Sequence, residues 1–382
     1  MVQRYFWLDK IKDGFKERNV LWLSGVRRAG KTVLCKSLPE IEYFDCELPR
    51  VRRMMEDPQS FLEGLKGFTV VLDEIHRLAN PSEILKIAAD HYPHTKILAT
   101  GSSTLGASAK FKDTLAGRKY EIWLTPMITA DLIDFKLTDL AHRFIRGGLP
   151  PFFLAKKFPE RDFQEWMEAY WAKDIQELFR LERRHSFFRF AELLMVQSGG
   201  IFEATSFARP CEVSRSTISN YLAVLEATFV CHVIRPFSTH RPTEIVSAPK
   251  VYAFDTGFVC YYRGWHELRK EDYGLLWEHF VLNEIFAYTQ SRKISYWRDK
   301  RGHEVDFVFA SRRSEPLAIE CKWSESEFDH TNIKAFRRQY PKGENLVVAS
   351  DVERPYMHTY DDIKVRFVRL EDLTEFIKRQ GG

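Results

Sequence analysis

Charged and hydroxyl side chains with the spacing that phosphate chemistry requires stand near the start of the chain. The stretch Gly25-Val-Arg-Arg-Ala-Gly-Lys-Thr fits the pattern G-x-x-x-x-G-K-[ST] without a mismatch. Its glycines let the backbone curl so that N–H groups face phosphate oxygens, and the following helix adds a partial positive charge. Lys31 is expected to reach the β- and γ-phosphates and Thr32 to ligate Mg²⁺. The residues predicted to bind the nucleotide in this phosphate loop are Gly25, Val26, Arg27, Arg28, Ala29, Gly30, Lys31 and Thr32.

A pair of carboxylates follows the apolar run "FTVVL". Ligands of an open α/β sheet bind at the carboxyl ends of its strands, where Asp73 and Glu74 would lie. An acidic strand end by itself is ordinarily solvated, but its combination with the phosphate loop favours a functional role. We expect Asp73 to hold Mg²⁺ and Glu74 to polarise the attacking water. The next run, "TKILATGSS", ends in hydroxyls, of which Thr100 and Ser102 are equal candidates for a γ-phosphate contact.

One arginine after these runs has two interpretations. Arg118 lies in a Gly-Arg pair before the strand-like run "YEIWL". An arginine in a loop is ordinarily solvated, whereas an arginine that contacts the transition-state phosphate contributes strongly to catalysis. We predict the catalytic role, exerted either within the same chain or on a neighbouring copy.

A second group of charged residues lies towards the C-terminus, in the order Glu278, Asp306, Glu320 and Lys322. The stretch "PLAIECKW" is apolar like a buried strand, yet a period of two puts Glu320 and Lys322 on one face of it. Asp306 and Glu320 offer hard oxygen ligands for Mg²⁺, and Glu278 would complete the metal shell from a helix. Such a metal would polarise a phosphodiester and activate water, while Lys322 orients the nucleophile. The alternative is an edge strand with a solvated Glu–Lys pair.

The elements that must position these residues predict an α/β protein. Short apolar runs precede each group, and segments of helical periodicity lie between them. The middle of the chain predicts helix, turn, helix and strand, with Ser214 as an N-cap, which is the order of a winged helix-turn-helix. Such an element reads DNA, here through Arg215, or only packs between other domains. The break "GGLPPFF" predicts a hinge before it.

Composition limits the class of protein. A chain of 382 residues suggests two or three domains, and a hydrophobic content of 45% excludes general disorder. The net charge of +4 is compatible with nucleic acid. The six cysteines form no Cys-x-x-Cys pair, which argues against zinc and against a disulfide framework. The sequence shows no signal peptide and no apolar run of the ~20 residues that span a bilayer, so we expect a cytoplasmic protein without a membrane partner.

Several motifs resemble a known family. The motifs "GVRRAGKT", "VVLDEIHR", "ILATGSS" and "LAGRKYEIWLTPM" resemble the AAA-type ATPase domain of a large set of bacterial and archaeal proteins of poorly defined role. Those proteins carry a C-terminal module that is taken to have a restriction-endonuclease-like fold. The ordered acidic set also resembles PD-(D/E)xK nucleases, although Val305 precedes Asp306 where many nucleases have proline. The resemblance implies ATP and Mg²⁺ as cofactors and supports a role for Arg118.

These observations predict an α/β chain of three parts. They are an AAA-type P-loop NTPase domain over 1–140, a helical connector with a winged helix-turn-helix over 141–245, and a restriction-endonuclease-like domain over 246–382. The function expected is ATP hydrolysis coupled to a nuclease-like domain that acts on DNA, in a homo-oligomer. The alternative is a nucleotide-dependent switch whose C-terminal domain binds a protein partner or DNA without cleaving it.

Overall fold

Two compact units make up the chain. The computed structural model describes residues 2–101, 111, 114–176, 183–238, 248–310 and 315–381. The first unit comprises Met1–Arg184 and Leu222–Val230, and the second comprises His185–Tyr221 and Cys231–Gly382. Among the described helices, none combines the length and the apolar character that crossing a membrane requires.

A parallel sheet carries the first unit. Its strands are β1 (Val20–Ser24), β2 (Ile41–Asp45), β3 (Thr69–Asp73), β4 (Lys96–Thr100) and β5 (Tyr120–Trp123). In the described residues they form a five-stranded sheet in the order β2-β3-β4-β1-β5, and every pairing is parallel. Because all strands run the same way, their carboxyl ends lie at one edge. The phosphate loop after β1, the acidic pair at the end of β3 and Thr100 at the end of β4 therefore meet there, as the sequence predicts.

The first unit also contains helices. They are α1 (Tyr5–Glu17), α2 (Lys31–Lys36), α3 (Pro49–Met54), α4 (Pro58–Glu63), α5 (Pro81–His91), α6 (Thr129–Asp134), α7 (Leu140–Arg146), α8 (Pro150–Phe153) and α9 (Glu160–Tyr170), which continues as the π-helical turn Trp171–Ile175. A buried cluster that includes Trp22, Leu72, Ile97 and Leu85 fills the space between sheet and helices. The apolar stripe of α9 is buried as its 3.6-residue period predicts.

The glycine–proline break after α7 lies within the first compact unit and forms a packed turn. Gly147 has a φ of +79°, and Pro150 begins α8. The Met127 N–H donates to the Gly148 carbonyl oxygen at 2.8 Å, and a Cβ on Gly148 would lie 2.3 Å from an Arg143 nitrogen. Gly147 therefore permits the left-handed turn and Gly148 the close packing, and the predicted hinge stays a prediction.

A mixed sheet carries the second unit. Its strands are β6 (Gly200–Ile201), β7 (Cys231–Pro236), β8 (Lys250–Ala253), β9 (Ser295–Arg298), β10 (Glu304–Phe309), β11 (Leu317–Lys322), β12 (Asn345–Ala349), β13 (Tyr356–Tyr360) and β14 (Ile363–Val368). In the described residues the order is β13-β14-β12-β11-β10-β9-β7-β8-β6. Strand β11 lies between β10, to which it is antiparallel, and β12, to which it is parallel. The alternative that "PLAIECKW" is an edge strand is therefore wrong.

The remaining helices are α10 (Arg184–Val196), α11 (Ala204–Ala208), α12 (Arg215–Ala227), α13 (Thr256–Arg263), α14 (Asp272–Thr289), α15 (Thr331–Gln339) and α16 (Leu370–Gly381). The predicted N-cap before α12 is confirmed, because the Thr217 N–H donates to Ser214 Oγ at 3.1 Å. The strand after α12, β7, lies inside the larger sheet between β8 and β9. Whether these helices form a winged helix that reads DNA stays a prediction.

Candidate functional site

The phosphate loop joins β1 to α2, and two of its glycines are required by the backbone. Gly25 has a φ of +145°, and a Cβ there would lie 2.5 Å from the Leu124 carbonyl oxygen. Gly30 has a φ of +97° and is the N-cap of α2, so Lys31 and Thr32 open that helix. An L-residue with a side chain is strained at both positions. The backbone therefore explains the glycines of the motif.

The ammonium of Lys31 lies against its own loop. Its Nζ donates to the carbonyl oxygens of Gly25 at 2.8 Å and Val26 at 3.1 Å. Burial lowers the pKa of Lys31, while the charges of Glu74, Asp174 and Asp73 oppose this shift. Charge-assisted bonds to phosphate oxygens are stronger than bonds to neutral carbonyls. A phosphate that binds here would therefore have to replace only neutral carbonyl oxygens as acceptors of the Lys31 ammonium.

The two acids at the end of β3 are held by other side chains. The Tyr43 hydroxyl donates to Asp73 Oδ2 at 2.6 Å, and the Thr100 hydroxyl donates to Asp73 Oδ1. Thr100 Oγ1 also accepts from the Glu74 N–H at 3.1 Å. Thr100 is fully buried, so its hydroxyl positions the acidic pair. A contact between Thr100 and a γ-phosphate stays a prediction, and Ser102 lies outside the described residues.

Glu74 lies in the same cleft in an unusual backbone conformation. Its φ is +55°, a left-handed value that residues with a side chain adopt infrequently and often at functional sites. The distance between Glu74 Oε2 and His76 Nδ1 is 3.1 Å. Burial alone would raise the pKa of Glu74, but the bond from His76 and the charge of Lys31 bring it below its usual value. The carboxylate is therefore ionised at neutral pH and able to attract a proton from water.

A cavity of about 770 Å³ joins these groups. Its polar wall contains the phosphate loop, Asp73 and Glu74, and it also contains Asp174, which the sequence patterns did not indicate. Its apolar wall is formed by Val2, Val33, Phe135, Pro150, Pro151 and Leu154. A concave site of this size, with polar groups that converge at the phosphate loop beside an apolar wall, is typical of cofactor binding.

A buried ion pair supports the phosphate loop from behind. Arg4 donates from Nε and Nη2 to the two carboxylate oxygens of Asp131 at 2.7 and 2.8 Å. Its Nη1 donates to the Ala29 carbonyl oxygen at 2.9 Å. Asp131 also accepts from Trp7 Nε1 at 3.2 Å and from the Ile128 N–H at 3.0 Å. The pair therefore fixes one residue of the loop to α1 and α6.

Arg118 is not brought to the cleft of its own chain. Its Nε donates to Asp90 Oδ1 at 2.8 Å, and it does not line the cavity. Its side chain is 37% exposed, so solvent and other molecules can reach it. A catalytic role within the same chain would require it to leave Asp90.

The predicted acidic group of the second unit is assembled in part. Lys322 Nζ donates to Glu320 Oε2 at 2.8 Å and lies 3.9 Å from Asp306 Oδ2, so the period of two is confirmed for this strand. Asp306 Oδ2 also accepts from the Cys321 N–H at 2.8 Å. Glu320 is 1% exposed, and its Oε1 has no hydrogen-bond partner among the residues that the structure describes. Burial and the charge of Asp306 raise the pKa of Glu320 to about 8.

Glu278 is held by a lysine that the sequence analysis did not select. Lys250 Nζ donates to Glu278 Oε1 at 3.0 Å and to Glu304 Oε1 at 2.7 Å, and the Tyr252 hydroxyl donates to Glu278 Oε1 as well. Burial lowers the pKa of Lys250, but Tyr252 and the surrounding carboxylates together raise it above its usual value. The buried ammonium of Lys250 is therefore charged and neutralises two carboxylates.

These residues fit a divalent cation in their chemistry, and they would have to rearrange to hold one. The unpartnered oxygen of Glu320 and the nearby Asp306 carboxylate are the hard donors that Mg²⁺ and Mn²⁺ prefer. In the described part of the chain, however, no three His, Cys, Asp or Glu side chains already stand in a metal-binding arrangement. Lys322 and Lys250 occupy the carboxylates instead.

Residues missed by the sequence analysis share one property, which is a partner distant in the chain. Arg4 and Asp131 are 127 residues apart, and Lys250 and Glu278 are 28 apart. None belongs to a local motif. An unusual signal existed only for Lys250, a lysine inside the apolar strand "KVYAF".

Comparison with protein families identifies the class of the first unit. Residues 17–133 match the family model of an AAA domain. This segment contains the phosphate loop and the acidic pair, so the chain carries a P-loop ATPase domain. Residues 137–269 match a domain of unknown function (DUF8612), and residues 273–368 match another (DUF4143). These two matches name no activity, so the winged-helix and nuclease-like folds stay predictions.

Two mycobacterial proteins are similar over most of the chain. They are an uncharacterized protein of Mycobacterium bovis and an uncharacterized protein of Mycobacterium tuberculosis. Each is 26% identical over 335 residues, which cover 84% of this chain and 74% of the relative.

Two solved structures are similar at low sequence identity. The Walker-type ATPase of Pyrococcus abyssi is 17% identical, with a TM-score of 0.42, and the match covers 69% of this chain and 96% of that one. A DNA polymerase III gamma subunit-related protein from Thermotoga maritima is 9% identical, with a TM-score of 0.26, and the match covers 59% and 97%.

Proposed function

We propose that the first unit binds ATP and hydrolyses it with Mg²⁺. The observation that supports this most directly is the meeting of the phosphate loop with two acids whose positions are held by other side chains. Asp73 accepts bonds from Tyr43 and Thr100, and Glu74 keeps a pKa below its usual value despite its burial. The AAA-domain match over the same residues agrees with this proposal.

Each group has a separate role. The amides of residues 25–32 and the Lys31 ammonium hold the β- and γ-phosphates. Thr32 and Asp73 would hold Mg²⁺, which neutralises charge on the phosphates when it is bound. Glu74 polarises the water that attacks the γ-phosphorus. Tyr43 and Thr100 position Asp73 by donating to its two oxygens.

The apolar wall of the cavity provides the place for the base. Val2 and Leu154 line it while 41% and 53% exposed, so apolar surface stays open to solvent beside the loop. Phe135 and Pro150 line the same cavity. A purine ring would cover this surface and gain the free energy of burial.

Two variants test the hydrolysis proposal. Lys31→Ala should abolish binding of a fluorescent ATP analogue, and Glu74→Gln should bind the analogue but release no phosphate. Lys66→Ala and Glu83→Gln are the matched controls, because both side chains are exposed away from the cavity. Hydrolysis at the wild-type rate by Lys31→Ala would refute the role of Lys31 in phosphate binding. The same result for Glu74→Gln would refute the role of Glu74 in polarising water.

Arg118 acts, in this proposal, on the nucleotide of a neighbouring copy. It is bound to Asp90 and stands outside its own cavity, yet it is accessible. Complementation tests this role. Arg118→Ala and Lys31→Ala should each be inactive alone, and their mixture should regain part of the activity because one copy supplies the arginine and the other the intact loop. No gain on mixing, with each variant folded and assembled as the wild type is, would contradict a role in trans.

For the second unit we propose a Mg²⁺-dependent phosphodiesterase site that acts on DNA. The supporting observation is Glu320, which is almost fully buried on a central strand and leaves one carboxylate oxygen without a partner in the described part of the chain. A buried carboxylate of this kind is costly to the fold unless a ligand uses it. Asp306, Glu320 and Glu278 would hold the metal, which supplies charge neutralisation at the phosphate. Lys322 orients the nucleophile after its hydrogen bond to Glu320 is broken.

Manganese uptake and cleavage together separate this site from a docking module. Calorimetry with Mn²⁺ should detect binding to the wild type that Glu320→Gln and Asp306→Asn abolish, and cleavage of DNA should disappear in the same variants. Glu325→Gln is the matched control, because it follows the same strand but is half-exposed. Binding of DNA without Mn²⁺ uptake and without cleavage would favour the alternative, in which the second unit binds a polymer or a protein partner.

The proposal also includes DNA binding and a cytoplasmic location. The exposed side chains of Arg215, Ser216 and Ser219 lie at the start of α12, where a reading helix would contact a phosphate or a base. All six cysteines are buried free thiols, which suits a reducing compartment.

A further inference from the structure

A buried carboxylate outside the predicted motifs lies on the wall of the nucleotide cleft. Asp174 belongs to the π-helical turn Trp171–Ile175 and is 6% exposed. It lines the cavity together with Lys31 and Glu74. Within the described residues, neither Asp174 Oδ2 nor Arg27 Nε has a hydrogen-bond partner, although the two atoms are 3.6 Å apart. A carboxylate oxygen thus stands unsatisfied beside a cation of the phosphate loop.

The same helical segment holds the phosphate loop at two other points. Trp166 Nε1 donates to the Arg27 carbonyl oxygen at 3.0 Å. Asp162 Oδ1 lies 3.5 Å from Arg28 Nη1. The segment that runs from α9 into the π-helical turn therefore contacts both Arg27 and Arg28, which are adjacent cationic residues of the phosphate loop.

Asp174 and a nucleotide compete for the same positive charges. Arg27 and Lys31 attract the Asp174 carboxylate, and the triphosphate must approach the same two side chains. Guanidinium groups bind phosphate in a bidentate way that is stronger than an ion pair without a hydrogen bond. Between the phosphates and a carboxylate in a cleft of low dielectric, repulsion is large at short range. Both charges cannot therefore hold Arg27 at once.

We propose that Asp174 is a positioning residue of the nucleotide site, which holds Arg27 in the nucleotide-free protein and gives it up to the phosphates. This inference rests on the nucleotide binding proposed above. When Arg27 turns to the phosphates, the π-helical turn loses one of its attachments to the loop. Binding of nucleotide is therefore transmitted to Trp171–Ile175. Since π-helical turns are frequent at functional sites, this is the element that we expect to respond.

Calorimetry with a non-hydrolysable ATP analogue and Mg²⁺ tests the competition on the full chain. Asp174→Asn keeps the shape of the side chain and removes its charge, so the dissociation constant should fall on the order of tenfold. Glu165→Gln is the matched control, because it removes the same charge from the same segment, and Glu165 pairs with Arg161 and does not line the cavity. Its dissociation constant should stay within about twofold of the wild type.

A double variant shows whether Asp174 acts through Arg27. Arg27→Gln should weaken binding, and adding Asp174→Asn to it should bring a smaller gain than in the wild type, because only the repulsion from the phosphates and the attraction to Lys31 remain. An equal gain in both backgrounds, or no gain in the wild-type background, would overturn the inference. Failure of the wild type to bind the analogue would instead refute the proposed ATP-binding function.

Hydrogen exchange of the wild type gives a second readout that needs no variant. The amides of residues 171–175 should exchange faster when the analogue and Mg²⁺ are present. Unchanged or slower exchange at these amides, under conditions in which the phosphate loop becomes protected, would contradict the release of Asp174.

Discussion

Removal of the Asp131 carboxylate is the perturbation whose consequence follows most directly from the structure. In Asp131→Ala, Arg4 loses two charge-assisted hydrogen bonds, and the donors of Trp7 and Ile128 lose their acceptor. The side chain of Arg4 is only 5% exposed, so its charge stays buried without compensation. Breaking a buried pair by deleting one partner costs about 3–5 kcal/mol, and we expect a loss in the free energy of unfolding of about 4 kcal/mol.

Urea denaturation followed by tryptophan fluorescence measures this loss, and nucleotide affinity reports its effect on the site. Asp134→Ala is the matched control, because Asp134 lies on the same helix and accepts a single bond from the Tyr5 N–H at 3.0 Å. It should cost at most about 1 kcal/mol. In Asp131→Ala, the Arg4 side chain that donates to the Ala29 carbonyl oxygen is no longer held in place. The ATP analogue should therefore also bind more weakly. A cost below about 1 kcal/mol for Asp131→Ala, or an equal cost for both variants, would refute the reasoning.

Three other predictions concern polar groups elsewhere in the two units. Tyr43→Phe removes one of the two donors to Asp73, and Mg²⁺ affinity measured through ATP hydrolysis should fall about tenfold or more while unfolding is little affected. The raised pKa of Glu320 means that the folded chain favours the neutral carboxyl, so with the neutral amide of Glu320→Gln thermal unfolding in EDTA at pH 7 should occur at a higher temperature than in the wild type, and a lower one would contradict this. Burial lowers the pKa of His232 well below its usual value, so the unfolded chain takes up a proton near pH 6.5 that the folded chain does not. Stability present above that pH is lost on acidification, by at most about 1.4 kcal/mol between pH 7.5 and 5.5, and urea denaturation of His232→Phe should lack this part of the pH dependence.

Groups that the sequence predicted correctly are those that a short stretch of backbone positions. The phosphate loop requires Gly25 and Gly30 because of their own φ values, so the motif and its geometry are inseparable. Asp73 ends the strand that the apolar run already predicts, and Glu74 follows it directly. On β11, the alternation of side chains alone brings Glu320 beside Lys322. Local geometry was sufficient in each of these cases.

The burial of both faces of β11 was not predicted by the same local geometry. Period two suggested one core face and one face open to a metal site, but Ala318 and Glu320 are as buried as Leu317 and Ile319. The reason is that β11 is a central strand with a neighbouring strand on each side, and the residues on both of its faces are buried. A hexapeptide carries no information about its place in a nine-stranded sheet. The pairing of Glu278 with Lys250 was beyond prediction for the same reason, since it depends on which strand lies under α14.

The attachments of the phosphate loop imply how nucleotide occupancy could move the rest of the first unit. Arg4 holds the Ala29 carbonyl from the N-terminal side of the chain, and Trp166 holds the Arg27 carbonyl from a helix 139 residues further on. Both contacts are to backbone oxygens, so they fix the course of the loop whatever its side chains do. The ion pairs of Arg27 and Arg28 can change on nucleotide binding, because a phosphate competes for the same guanidinium groups. The loop therefore keeps its shape on binding while its side-chain partners change, and the change is felt first on the segment that carries Asp162 and Asp174.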